Sequence, residues 1–142
     1  MDHIVYVDAK EKELEKLLSG EKKMIVRGAA GRKLPYGRVN AGDQLYFMRN
    51  NAEGLVQACA AVLRVFLFGP LATEESQQVL EQHQDQLLLT PAQLKRWAGK
   101  RYLVLVELGP VQPLAPFAID RSAYGTMDDW LPVGQIDSVK TG

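Results

Sequence analysis

The chain has 142 residues, 46% of them hydrophobic and 24% charged, the composition of a folded globular unit and not of a disordered one. Seventeen Lys and Arg residues balance seventeen Asp and Glu for a net charge of zero, which excludes a globally basic histone-like protein while leaving room for a local basic face. One cysteine excludes an internal disulfide framework. No apolar run is long enough for a membrane span, and Met1 leads straight into Asp2-His3 with no secretory signal, so a soluble cytoplasmic protein is expected.

In chain order, residues 4–7 (Ile-Val-Tyr-Val) form a short β-like run. Asp8 ahead of Ala9-Lys10-Glu11 has a capping-box pattern, and Leu14, Leu17 and Leu18 share one face of the helix it opens, with Gly20 as C-cap. Residues 23–27 read as a second strand. A glycine-punctuated loop follows to Gly42-Asp43, a turn signal that leads into a third strand at 44–48. After a hairpin-like turn at 50–54, residues 55–68 read as one long or bent strand whose small residues, Ala58, Cys59, Ala60 and Ala61, suit tight packing. Alanine also favours helix, so a helix competes there. Thr73-Glu74-Glu75 starts a helix expected to run to about Leu87, and Thr90-Pro91-Ala92-Gln93 starts another, with Leu94 and Trp97 inward and Gly99 at its end. Residues 102–108 are the clearest strand. The tail is expected to wrap the body as loops with a short strand or two.

The order β-α-β-β-β-α-α-β plus tail, with short strands and hairpin-like connections, favours an α+β fold around a small mixed or antiparallel barrel over a doubly wound sheet. No repeat or linker divides the chain. One domain over 1–142 is expected, with 109–142 a wrapping C-terminal extension.

Gly20, Lys22 and Arg27 fall at the spacing glycine, any residue, lysine, two residues, a polar residue, any residue, arginine, with Ile25 in the polar place. This junction, followed by Gly42-Asp43 before a strand, resembles the ASCH group of the PUA-like β-barrel superfamily over roughly residues 3–108. The segment 116–132 looks like the extension of a subgroup of small members. The resemblance implies a PUA-like barrel with helices packed around it, and a cleft that takes RNA or a modified nucleobase. Some members resemble amidohydrolases of acetylcytidine that use a lysine, a threonine and a glutamate. Lys22 matches the lysine, Ile25 stands at the threonine, and Glu74, Glu75 and Glu81 offer no decisive register for the glutamate. A hydrolase of that type, or a small ribonuclease, is the alternative to a binding module, with Lys22 as its catalytic residue.

Residues 20–49 carry Lys22, Lys23, Arg27, Arg32, Lys33, Arg38 and Arg49 against Glu21 and Asp43, a segment of net charge +5 in a neutral protein. Basic side chains neutralise phosphates and aromatic faces stack on bases. Lys22, Lys23, Arg27, Arg32, Lys33, Tyr36 and Arg38 are therefore the candidate nucleic-acid contacts, against the plainer reading of a solvated basic loop. Tyr124, Asp128, Asp129 and Trp130 could hold a base by stacking and edge hydrogen bonds, although Trp130 as an anchor for the tail is the better reading. Gly28-Ala-Ala-Gly31-Arg-Lys fits neither the phosphate-loop pattern nor the dinucleotide fingerprint. His3, His83 and Cys59 make no recognisable zinc site. No metal and no cofactor are expected.

Overall fold

The computed structural model describes residues 1–125 and 128–141. Thr126, Met127 and Gly142, which belong to the expected extension, lie outside the described residues. The elements are β1 (Asp2–Val7), α1 (Glu13–Ser19), β2 (Met24–Ala29), β3 (Gln44–Arg49), β4 (Leu55–Phe68), α2 (Thr73–Gln82), α3 (Gln84–Leu87), α4 (Pro91–Trp97), β5 (Tyr102–Leu108), β6 (Gln112–Ile119), β7 (Trp130–Gly134) and β8 (Lys140–Thr141).

The fold is α+β. One mixed eight-stranded sheet runs β2-β5-β4-β3-β1-β7, with β6 paired to β4 and β8 to β6. Among the described residues its hydrogen-bonded path is open between β2 and β7. The organising strand is β4, whose 14 residues are strand and not helix. Its first half pairs with β3 on one side and β6 on the other. After an irregularity between Val62 and Arg64 its second half pairs with β5. A bulge increases local twist and lets one strand serve two directions, and Ala58 and Ala60 leave room for the bend at the buried face. The β1–β3 pair is parallel where hairpins were expected, because α1 and β2 supply the length a parallel crossover requires.

Boundaries differ from expectation at four places. Helix α1 starts at Glu13, not beside Asp8. Residues 9–12 form turns, and the Glu13 Oε1 carboxylate accepts the Asp8 N–H at 3.0 Å. The helix expected through Leu87 breaks at His83, whose backbone is non-helical. Strand β2 extends through Gly28 and Ala29, where β5 supplies partners at Leu103 and Tyr102. The tail contributes three strands. Pro113 and Pro116 obscured β6, but proline is tolerated toward a sheet's edge.

Alternation in the strands divides the core. Ile25, Val104 and Val106 pack with Leu14, Leu17, Val5, Val7 and Phe47. Met24, Val26, Leu103 and Leu105 face the other way, onto Val79, Leu80, Leu87 and Trp97 of the helical layer. His3 shares the Val5 face and is 0% exposed. Its Nε2–H donates to Asp43 Oδ2 at 2.8 Å, while its Nδ1 accepts the Trp130 indole N–H at 3.0 Å. These two bonds set the neutral Nε2–H tautomer: a proton on Nδ1 would face another donor. The chain Trp130–His3–Asp43 thus ties β7, β1 and the turn before β3 together, and Trp130, 1% exposed, is the anchor of the tail.

Burial pushes His3 below its ordinary value of 6.5, outweighing the pull of Asp43. Between the lowered value and 6.5 the unfolded chain binds a proton that the folded chain does not. Stability present above pH 6.5 therefore declines as pH falls through this window. Burial pushes Asp43 up, but the His3 and Asn40 N–H donors outweigh it and hold the carboxyl below 3.8, which adds a second loss at lower pH. In denaturant titrations from pH 8 to 3, the His3→Gln variant is expected to lose the first of these transitions and to keep a weakened second one, carried by the Asn40 N–H. A second test is Gly69→Ala at the end of β4. Gly69 has φ +141°, and a Cβ there would lie 2.3 Å from Tyr102 Cδ1 and 2.9 Å from the Arg101 carbonyl. The variant is expected to be destabilised by about 2 kcal/mol or more, read as a lower melting temperature.

Candidate functional site

The site begins with the pleat of β2. Because side chains alternate across a strand, Arg27 follows Ile25 onto the inner face, and its side chain is 9% exposed. Its Nη2–H donates to the Tyr6 carbonyl at 2.6 Å and its Nη1–H to the Val26 carbonyl at 2.8 Å. The guanidinium carbon lies 5.7 Å from the Trp130 ring centroid and 5.9 Å from that of Trp97, within cation–π range. The third donor, Nε–H, has no hydrogen-bond partner among the described residues. The Asp129 carboxylate sits 3.3 Å away, close enough for a charge contact but out of line for a hydrogen bond.

Next to it lies a buried ion pair. Gly20, with φ +82°, ends α1 and turns the chain so that Lys22 points back under the helix. The Lys22 Nζ is 3.3 Å from Glu13 Oε2 and also donates to the Leu87 carbonyl. A buried charge persists when paired and hydrogen-bonded, and both conditions hold here. Burial pushes Glu13 up, but Lys22, Arg27 and the Asp8 N–H together outweigh it and hold the carboxyl below its usual range. Burial pushes Lys22 below the usual lysine value, and the attraction of Glu13 offsets this only in part. Glu13 thus stays ionised between two cations.

Two adjoining hollows meet at Arg27. The inner one, about 90 Å³, is lined by Tyr6, Asp8, Glu13, Asn50, Gln93 and Asp129 together with Arg27, Arg96 and Trp97. Its hydrogen-bonding groups are mixed. Gln93 Oε1 accepts the Thr90 N–H at 3.2 Å and Asn50 Oδ1 the Ala9 N–H at 2.8 Å, which leaves both amide NH₂ groups as donors. Asp8 Oδ1 accepts the Glu11 N–H at 3.2 Å, leaving its second oxygen as an acceptor. The outer cleft, about 260 Å³, is lined by Lys33, Lys100, Gly28 and Leu34, and shares Arg27, Arg96, Trp97 and Asp129 with the first. Small-molecule sites start at roughly 300 Å³, so the outer cleft approaches that size by itself. Arg96 lies over Trp97, 4.4 Å from the ring centroid.

The sequence candidates separate. Arg27 and Lys33 come together at the outer cleft, and Arg32 lies over Tyr36 and Tyr102, 6.0 and 5.8 Å from their centroids, on its flank. Lys22 does not share a hollow with Arg27; Glu13 links them, bonding one and facing the other. Lys22 and Lys23 instead border an apolar groove with Leu17, Leu63, Leu108 and Val111. Arg38 is exposed and lines none of these hollows. Arg49 is neutralised by Glu15 and Glu53. In the tail, Asp129 lines the site, Trp130 is in the core and unavailable for stacking, Tyr124 packs in the cluster around Ile4 and Leu131, and the Asp128 carbonyl accepts from Arg121. Ile25 is fully buried, and Glu74, Glu75 and Glu81 are exposed on α2. Glu13, Gln93, Arg96 and Lys100 were missed. A signal for the last two exists in Lys95, Arg96, Lys100 and Arg101, four cations within seven residues around Trp97. Among the described residues no group of three or more His, Cys, Asp or Glu side chains is placed to hold a metal ion, and no helix is long and apolar enough to cross a membrane.

No protein-family model matches the sequence, and no curated protein matches it. Solved structures do match. The crystal structure of ASCH from Zymomonas mobilis superposes with a TM-score of 0.70 at 12% identity, covering 99% of this chain and 96% of that one. A serine-to-alanine mutant of the same protein gives 0.71 at 12% identity over 96% and 91%, and a tyrosine-to-phenylalanine mutant 0.70 at 12% over 99% and 99%. The likeness spans both the region of the Gly20–Arg27 pattern and the tail. The chain has the fold of an ASCH domain.

Proposed function

We propose that this chain binds RNA or a nucleobase-like ligand, with a base edge in the inner hollow and phosphates on the outer cleft. The observation that carries the reading is the junction at Arg27. A small cavity lined by both hydrogen-bond donors and acceptors adjoins there a cleft bordered by Lys33, Arg96 and Lys100. A base edge offers donors and acceptors in alternation, and the attached backbone offers anionic oxygens. The two hollows are complementary to those two chemistries in that order. Arg32 and Tyr36 extend the basic flank. Residues 1–142 act as one unit in this reading, since the extension 109–142 supplies Asp129. Binding is favoured over a hydrolytic role for Lys22. Its ammonium is held by Glu13 and Leu87, and isoleucine occupies the neighbouring place where a hydroxyl would serve.

The test is a salt titration of binding to a short single-stranded RNA. Arg96→Ala with Lys100→Ala is expected to weaken binding and to flatten the slope of log K against log salt by roughly 1.4, about 0.7 for each phosphate contact removed. Binding that is absent at low salt, or that keeps its affinity and slope in the double variant, would overturn the reading.

A further inference from the structure

We propose that the Asp129 carboxylate holds the position on Arg27 Nε that a phosphate oxygen of the ligand takes on binding, so that Asp129 is a displaceable stand-in that sets the affinity for phosphorylated ligands. The proposal rests on the nucleotide reading of the cleft and adds to it that the ligand carries its phosphate at the junction of the two hollows.

One nitrogen of Arg27 lacks a hydrogen-bond partner among the described residues. Two of its nitrogens are committed to the Tyr6 and Val26 carbonyls, and its planar group lies near two indoles. The Nε–H, on a side chain 9% exposed, is itself buried beside the Asp129 carboxylate and has no hydrogen bond among the described residues. A seated arginine–carboxylate pair closes to about 2.7–2.9 Å with aligned donors. Asp129 stands off at 3.3 Å and out of line. It therefore neutralises Arg27 without saturating it, which leaves a better acceptor something to gain.

Asp129 is also built to move aside. Its side chain is 45% exposed, so its own charge is readily solvated on rotation, and the incoming phosphate takes over its place beside the buried Arg27. Its backbone is fixed, because its carbonyl accepts the Tyr6 N–H at 2.9 Å and the next residue, Trp130, is locked to His3. The exchange thus needs a side-chain rotation and no movement of β7. Asp129 is the single carboxylate lining the outer cleft among the described residues, against Arg27, Lys33, Arg96 and Lys100. A phosphate replacing it would meet those cations together.

The experiment compares wild type, Asp129→Asn and the double variant Asp129→Asn with Arg27→Lys. Calorimetry is run with the four ribonucleosides, their 5′-monophosphates and inorganic phosphate. Asp129→Asn is expected to tighten monophosphate binding by roughly fivefold, the upper range for an exposed ion pair, while nucleoside affinities change less than twofold. Arg27→Lys is expected to erase the gain, since lysine lacks the Nε donor. Unchanged or weaker monophosphate binding by Asp129→Asn would overturn the proposal, as would a gain that survives Arg27→Lys. Asp129→Ser, read in the same way, serves if the asparagine variant melts early. If no variant binds a nucleoside or nucleotide, the nucleotide reading fails. Inorganic phosphate then decides the stand-in separately, with tighter binding by Asp129→Asn supporting it and equal binding rejecting it.

Discussion

A guanidinium buried on the inner face of a sheet constrains everything near it. Arg27 occupies a position that strand alternation reserves for the core, and a charge there must be compensated from all sides. The compensation comes from distant parts of the chain: the Tyr6 carbonyl of β1, the indoles of α4 and β7, and the Asp129 carboxylate of the tail. Glu13 completes the arrangement by facing Arg27 while pairing with Lys22. Cations and anions alternate from Lys22 through Glu13 and Arg27 to Asp129, so that each of the three buried charges has an opposite charge beside it.

The tail is held by the same logic, through a neutral indole and imidazole ending on the Asp43 carboxylate. Trp130, His3 and Asp43 form a buried chain in which each group has a single acceptable protonation state. An amphipathic aromatic like tryptophan contributes apolar burial together with one directed donor. Here the donor chooses the histidine tautomer, and the histidine in turn holds the turn at Gly42-Asp43. The extension therefore docks at a defined register against β1, and this places Asp129 at the mouth of the cleft instead of loose in solvent. Arg121 adds a second tie, donating to the Tyr6 hydroxyl at 2.9 Å. Tyr6 is thus held by the tail through its hydroxyl and holds Arg27 through its carbonyl.

Much of this was legible locally. The strands at residues 4–7 and 102–108, the capping box at Thr90 with Gln93, and the C-cap at Gly20 are all present in the structure. So is the single long strand at 55–68, despite its alanines, because pairing on both sides outweighs intrinsic preference. Misplaced boundaries have equally local reasons. Asp8 looked like a cap, yet the chain makes further turns before Glu13, with Lys12 in the left-handed region. The strand β6 was hidden by its prolines and by an exposed face with weak alternation.

The candidate site was legible only in part. The basic segment pointed to Arg27, Lys33, Arg32 and Tyr36, which the fold keeps near one another, but charge density along a chain says nothing of which side of a strand each residue takes. Lys22 and Lys23 are adjacent to that group in sequence and border a different groove. Arg96 and Lys100, some seventy residues from Arg27, complete the cleft. The order of amino acids was enough for the element types and the ASCH-like junction from Gly20 to Arg27, because these follow from periodicity and spacing over a few residues. That Glu13 would bridge the two cations, that His3 would find Asp43 and Trp130, and that Asp129 would stand over Arg27 became fixed only on folding. Those pairings are chosen by the cost of leaving a buried polar group unmatched, and that cost exists only once the sheet and tail have closed around it.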